Sequence, residues 1–379
     1  MVLEGRLEDS GSQSIHYGSN VSSHNPCYFS SYGDLKVHEL MLKDKVRTEF
    51  YKNVIFSNKE IFQDKIVMDV GTGTGILSIF CAQAGAKKVY AIERSEIAKL
   101  AADIVKENNL TDVIEVIQEQ VENVVLPCKV DVLISEWMGF YLLHEGMLDS
   151  IIAARDTHLK EGGKMFPYKC IIYSAPCQLP GYFQLWDDFQ GVKMSTLGQA
   201  LRKGCQGEPQ ITRIASSDLL SDGKEVAILD LYRTTCDELN KISVRQFVAV
   251  SKRGDYQGIC LWFTVEFPSA EGKENMVLST SPMSPKTHWK QTVIVLPVHV
   301  EVEENDPVAW ELVLERNSMN HRMYNIHLTM LDPETETHPM PCDCSFMKCK
   351  VIKAFLAQQG SEEDTMEEII DCTTTDDND

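Results

Sequence analysis

Two acids nine positions apart, Glu136 and Glu145, carry the most specific chemistry in the chain. Glu136 follows a short apolar, β-branched run at 130–134 that reads as a buried strand. Its carboxylate therefore stands at the C-terminal end of a strand, where open α/β sheets bind ligands. Glu145 closes the same segment, Ser135-Glu136-Trp137-Met138-Gly139-Phe140-Tyr141-Leu142-Leu143-His144-Glu145-Gly146-Met147, in which Gly139 serves as a hinge. Two facing carboxylates repel unless a cation lies between them, and a guanidinium, with its planar fork of donors, suits such a clamp. A lone Glu after a strand is as often solvated or paired with a structural Arg, so the weight falls on what precedes it.

Residues 65–70 predict a strand, followed by Gly71-Thr72-Gly73-Thr74-Gly75 and a helical run over 76–84. Glycines at such a turn let the backbone approach a ligand, and the helix N-terminus favours an anion. The next strand, 89–92, ends at Glu93, an acid placed to accept from ribose hydroxyls. A dinucleotide pattern would want a third glycine at Ile76; G-x-G-x-G with an acid closing the following strand is instead the pattern of S-adenosylmethionine (AdoMet) methyltransferases. The anion of that ligand is a carboxylate, which calls for a cation such as Arg. A helix over 95–108, a strand over 114–118 and Gln120-Val121-Glu122 beside an adenine continue the alternation; a helix at 153–159 and a turn at 160–163 end it.

The expected organisation is α/β followed by β. Residues 1–26, rich in Ser, Asn and Gly, predict a disordered tail. Residues 27–60 predict a helical cap with one helix over 35–56, and 61–167 a Rossmann-like doubly wound domain. Past Pro167 come short runs at 171–174, 226–232, 244–250, 259–267, 292–296, 309–314, 324–330 and 348–352, which predict strands of a sandwich or barrel over 168–356. An aromatic insert at 178–216, with Tyr182, Phe183, Trp186 and Phe189, needs a surface to bury against.

The 379 residues carry a net charge of −20, and the nine acids of 357–379 supply nearly half of it, in a second disordered tail. Such acidity disfavours nucleic acid and favours basic partners, although it also serves solubility. No apolar run reaches the ~18 residues of a membrane span. The start lacks a signal peptide's apolar core, and the 12 cysteines are scattered. An intracellular protein of nucleus or cytoplasm, with no membrane contact, is expected. Cys342, Cys344 and Cys349 cluster without a second Cys or His pair at zinc spacing, so no metal is expected.

Taken together, Tyr28-Phe29-Ser30-Ser31-Tyr32, the loop Val70 to Ser78, the double-Glu segment and Thr287-His288-Trp289 make the chain resemble the protein arginine N-methyltransferases over 27–356. The resemblance implies an AdoMet-binding Rossmann-like domain and a β-barrel with a helical dimerisation arm, acting on arginine-containing proteins as a homodimer. It implies that Glu136 and Glu145 hold the substrate guanidinium, and that His288 pairs with Asp44. Phe29, His38, Arg47, Gly71, Gly73, Glu93, Val121 and Glu122 would hold the cofactor, Arg47 through its carboxylate. Tyr32, Met41, Met147 and Trp289 would line the target pocket, with the two methionines resembling the type I pocket that makes mono- and asymmetric dimethylarginine. Taken singly, Met41 and Met147 would be core residues and Arg47 a surface charge. His144, Phe140 and Gly146 depart from the commoner family residues and leave substrate preference open. The competing functions are a catalytically weak scaffold on the same fold and a small-molecule or nucleic-acid methyltransferase.

Overall fold

A computed structural model describes residues 2–3, 32–205 and 208–356 of the chain. Val2–Leu3 forms a two-residue strand, β1, paired with Thr329 and Leu328, so this piece of the expected disordered tail is in a sheet.

The expected helix over 35–56 is two helices, α1 (Leu35–Lys43) and α2 (Lys45–Ser57), broken at Asp44. Asp44 sits in extended geometry (φ −71°, ψ 91°), and its carboxylate accepts from the Arg47 N–H at 3.1 Å. A short acid that satisfies an orphan N–H at a helix start competes with helix continuation. A further short helix, α3 (Lys59–Phe62), leads into the first sheet.

That sheet holds β2 (Ile66–Val70), β3 (Lys88–Ile92), β4 (Ile114–Ile117), β5 (Val130–Ile134) and β6 (Leu159–Phe166), all parallel, in the order β4-β3-β2-β5-β6. Between them run α4 (Ile76–Gln83), α5 (Ile97–Glu107) and α6 (Leu148–His158). Helical cover on the sheet explains why β2, β3 and β5 read as nearly continuous apolar runs. Strand order reverses between β2 and β5, which opens a crevice at their C-terminal ends. There the Ser135 hydroxyl donates to the Val70 carbonyl at 2.6 Å and fixes the two strand ends. The expected turn at 160–163 lies within β6, as a bulge: its pairing with β5 steps from Val130↔Leu159 to Val132↔Lys164, with Gly162 at φ +74°.

The second half is antiparallel. β7 (Lys169–Cys177), β8 (Gln210–Thr212), β9 (Lys224–Asp230), β11 (Gly254–Phe267), β12 (Met276–Ser279) and β13 (Gln291–Val302) make a six-stranded sheet. β10 (Lys241–Ala249), β14 (Pro307–Arg316) and β15 (Tyr324–Leu331) join β1 in a four-stranded one. The expected sandwich or barrel is built from these two sheets, met at β9 and β10 by the Gln246 amide donating to Glu225 O at 2.7 Å. Phe267 of β11 packs on Tyr51 of α2 at 5.2 Å and on Phe166 of β6 at 6.4 Å, so both halves share one apolar core.

Residues 348–352 are helical, not a strand, within a helical stretch over 347–356. Cys349 is the one buried residue of that stretch, drawn in by other side chains and not by a strand ladder. In the insert, α7 (Ser195–Gly204) forms, and Phe183 turns inward beneath the Arg202 guanidinium, 4.3 Å from its ring centre. The exposed apolar set is therefore Leu185, Phe189, Val192, Met194, Leu197 and Leu201, not the Phe183 the sequence singled out.

Candidate active site

One cavity of about 250 Å³ opens at the crevice beyond β2 and β5. Its floor is the glycine turn. Gly71, Gly73 and Gly75 have φ of +72°, +56° and +86°, which side chains rarely adopt. A Cβ on Gly71 would fall 2.4 Å from Met147 Cε, and one on Gly73 would press the His38 ring at 3.3 Å. His38 is buried, with Nε2 2.8 Å from Tyr32 O. Glu93 accepts from the Gly73 N–H at 3.0 Å and the Ser95 N–H at 2.8 Å, which aims its buried carboxylate over the turn. Val121 and Glu122 line the far wall, Glu122 receiving the Ser150 hydroxyl at 2.6 Å.

The turn stands on a residue that sequence reading missed. Asp69, near the end of β2, is wholly buried and accepts from Thr72 Oγ1 at 2.6 Å and Ser78 Oγ at 2.7 Å; its Oδ1 meets no partner among the described residues. Burial pushes its pKa up to about 6, against those two hydroxyls. One charged residue inside an apolar strand was the available signal.

Arg47 and Glu136 form a forked ion pair. Nε and Nη2 of Arg47 reach Glu136 Oε2 at 2.7 and 2.6 Å, with both side chains under a tenth exposed. Glu136 Oε1 faces the Met138 N–H at 3.3 Å. The sequence reading assigned Arg47 to the cofactor and Glu136 to the substrate as separate devices; the structure couples them through one carboxylate oxygen. Arg47 also donates to Met41 O at 3.2 Å, which places the α1 methionine at the cavity wall.

Glu145 arrives on a contorted loop. Gly139 and Leu142 exchange two backbone hydrogen bonds of 3.0 Å, and Tyr141, Leu142 and Glu145 all take positive φ. Non-glycine residues in that region cost of order 1–3 kcal/mol each and persist where the surroundings hold them. A Cβ on Gly139 would lie 2.0 Å from His144 O, so the hinge must be glycine. Tyr32 donates its hydroxyl to Glu145 Oε2. Arg322, from the β14–β15 turn, donates to Glu145 O at 2.8 Å and lines the cavity; no sequence signal pointed to it. Gly146 (φ +61°) lets that turn approach, since a Cβ would meet Arg322 Cα at 3.1 Å. His144 is held neutral by burial, its pKa lowered to about 4, beside the Tyr141 hydroxyl at 3.1 Å.

Asp44 Oδ2 receives both the His288 N–H and its Nδ1, each at 2.7 Å. Burial acts to raise the Asp44 pKa, but the His288 bonds and the Arg47 N–H outweigh it and hold it below the usual range. Next to His288, the buried Trp289 donates Nε1–H to Met138 O at 2.8 Å. The loop before β13 thus pins the break between α1 and α2 on one side and the double-Glu loop on the other. Phe29 lies outside the described residues.

Residues 169–331, which include the insert, match the family model "Arginine methyltransferase oligomerization subdomain". Residues 55–165 match a second model, "Ribosomal protein L11 methyltransferase (PrmA)". The chain is 41% identical over 325 residues to protein arginine N-methyltransferase 6 of Danio rerio, covering 84% of this chain and 92% of that one. It is 38% identical over 347 residues to a probable protein arginine N-methyltransferase 6.1 of Oryza sativa subsp. indica, covering 84% and 92%. The chain belongs to the protein arginine N-methyltransferases. Among solved structures of this family, the Trypanosoma brucei PRMT1 enzyme-prozyme heterotetrameric complex with AdoHcy aligns at a TM-score of 0.71, with 32% identity, over 82% of this chain and 98% of that one.

Within this methyltransferase family fold, Tyr32, His38, Met41, Arg47, Glu93, Glu136, Glu145, Met147, His288 and Trp289 all reach one cavity. Apart from it, the late cysteines gather around a histidine that the sequence reading did not group with them. His338, four residues before Cys342, stands with Cys342, Cys344 and Cys349, their donor atoms all within 4.8 Å of one another.

Proposed function

We propose that this arginine methyltransferase binds AdoMet across Glu93, Gly71, Gly73 and Arg47 and makes mono- and asymmetric dimethylarginine in basic or Arg-Gly-rich proteins, histones included. AdoMet supplies a methyl group on a sulfonium. The observation that carries the reading is the cavity itself, which Glu136 and Glu145 from one loop line together with the glycine turn and Glu93. A substrate guanidinium is protonated at physiological pH, with a pKa above 12. Two carboxylates that take its N–H groups orient one nitrogen and draw charge away from it, and orientation is a large part of such catalysis. Arg47, bonded to Glu136 Oε2, holds that clamp carboxylate in place and presents remaining donors to an anion.

His288 and Asp44 position α1, and so Met41, without touching the reacting atoms. The exposed apolar set of the insert supports assembly of a homodimer through this arm. Incubation with labelled AdoMet and an Arg-Gly-rich peptide, followed by hydrolysis and amino-acid analysis, is expected to give labelled mono- and asymmetric dimethylarginine. Symmetric dimethylarginine would refute the type I reading, and label in another residue or none at all would refute the substrate class.

A further inference from the structure

We propose that His338, Cys342, Cys344 and Cys349 form a structural Zn²⁺ site. All four are buried, with 6%, 4%, 1% and 0% of their surface exposed. The Sγ atoms of Cys349, Cys344 and Cys342 lie 3.0, 3.5 and 3.7 Å from His338 Nδ1. A tetrahedral ion with Zn–S near 2.3 Å and Zn–N near 2.0 Å separates such donors by ~3.5 Å. The spacing is therefore that of ligands around an ion.

The surroundings fit a ligand set better than an apolar cluster. His338 Nε2–H donates to Pro333 O at 2.9 Å, which leaves the Nδ1 lone pair pointing at the three sulfurs. A backbone bond on the outer nitrogen is the usual support of a metal-bound imidazole. The Cys344 N–H is directed at Cys342 Sγ at 3.5 Å. None of the three cysteines is in a disulfide. Phe247 stacks on the His338 ring at 4.0 Å and Phe346 at 5.6 Å, which shuts out water and leaves no open coordination position. Three sulfurs and one imidazole are a soft donor set that selects zinc over magnesium or calcium. Binding releases the three thiol protons and leaves a site of net charge −1.

The site lies apart from the catalytic cavity, which none of its four residues lines. It closes the stretch after β15 onto Phe247 of β10 and Ala309 of β14, and Ser345 N–H donating to Asn305 O at 2.7 Å fixes the same stretch to the β13–β14 turn. The ion would thus clip the helical stretch 347–356 to the four-stranded sheet.

The test is the metal content of untagged, full-length protein, produced with zinc in the medium and dialysed against metal-free buffer. Mass spectrometric elemental analysis is expected to find about one zinc per chain, and Co²⁺ exchange to give the strong visible absorption of a tetrahedral thiolate site. Cys344→Ser and His338→Ala are expected to lower zinc at least fivefold, while Cys128→Ser, at an exposed cysteine elsewhere, retains it. Less than about a fifth of a zinc per wild-type chain would overturn the proposal, whatever the variants do. So would full zinc retention in both ligand variants, or a non-reduced mass two units low from a disulfide within the trio.

Discussion

At the scale of the residue, the Glu136 carboxylate serves two partners, and this changes what its substitution predicts. Glu136→Gln removes a charge-assisted bond worth roughly 1.5–3 kcal/mol and releases Arg47. Turnover is expected to fall ~100-fold or more, since ~1.4 kcal/mol of barrier is tenfold, and AdoMet binding to weaken with it. Glu145→Gln is expected to cost turnover comparably and leave AdoMet binding near wild type, because Glu145 meets Tyr32 and Arg322 and not Arg47. Single-turnover methylation and calorimetry on the two variants separate these outcomes; near-wild-type turnover in both would remove the clamp. Met41→Phe adds bulk at the cavity wall and is expected to shift product from asymmetric di- to monomethylarginine, read from the product ratio. Asp69 predicts a pH effect. Its folded pKa of about 6 exceeds the unfolded value near 3.8, so the native state holds an extra proton between them. Its contribution to stability is full below that window and is lost as pH rises through about 6. The Tm difference between Asp69→Asn and wild type is expected to move in the variant's favour from about pH 4 to about pH 7; a constant difference would count against a buried, ionisable Asp69.

At the scale of the element, the break between α1 and α2 matters more than either helix. Asp44 caps α2 and holds His288, so Asp44→Ala loses a cap, typically ~1 kcal/mol, together with the α1 anchor. KM for peptide is expected to rise and Tm to drop by a few degrees, whereas a merely structural cap would move Tm alone. The insert is the other element with a consequence. Its exposed Leu185, Phe189, Val192, Met194, Leu197 and Leu201 are costly to leave in water. Replacing residues 182–194 by a short Gly-Ser linker is expected to give a monomer by light scattering, with weaker AdoMet binding; a retained dimer mass would rule out the arm as the contact.

At the scale of the whole molecule, charge and shared core set behaviour. A net charge of −20 surrounds a site for a cationic side chain. Exposed charges farther apart than ~8 Å are largely screened at 0.15 M salt. For a basic Arg-Gly peptide, kcat/KM is therefore expected to fall with added salt, while turnover at saturation changes little. Because Tyr51, Phe166 and Phe267 join the two halves in one core, heat is expected to unfold them in one transition, and not in two.

The sequence by itself determined the nucleotide-type layout and the double-Glu loop, because glycine turns, strand-closing acids and apolar runs are local signals of period and spacing. It also determined seven strands of the second half, whose alternation is local in the same way; it missed the short β8 and β12, which hold three and four residues, and it read 348–352 as a strand where the residues served a helix equally well. Only the tertiary structure decided that Arg47 and Glu136 share an oxygen, that Arg322 closes the Glu145 loop and that Phe183 faces inward. The first two depend on residues 89 and 177 positions apart, and Phe183 meets the His299 ring across 116; no short-range pattern encodes such meetings. The same holds for Asp44, whose carboxylate meets His288 across 244 positions, and for His338, whose place among three cysteines is fixed by the packing of Phe247 on its ring.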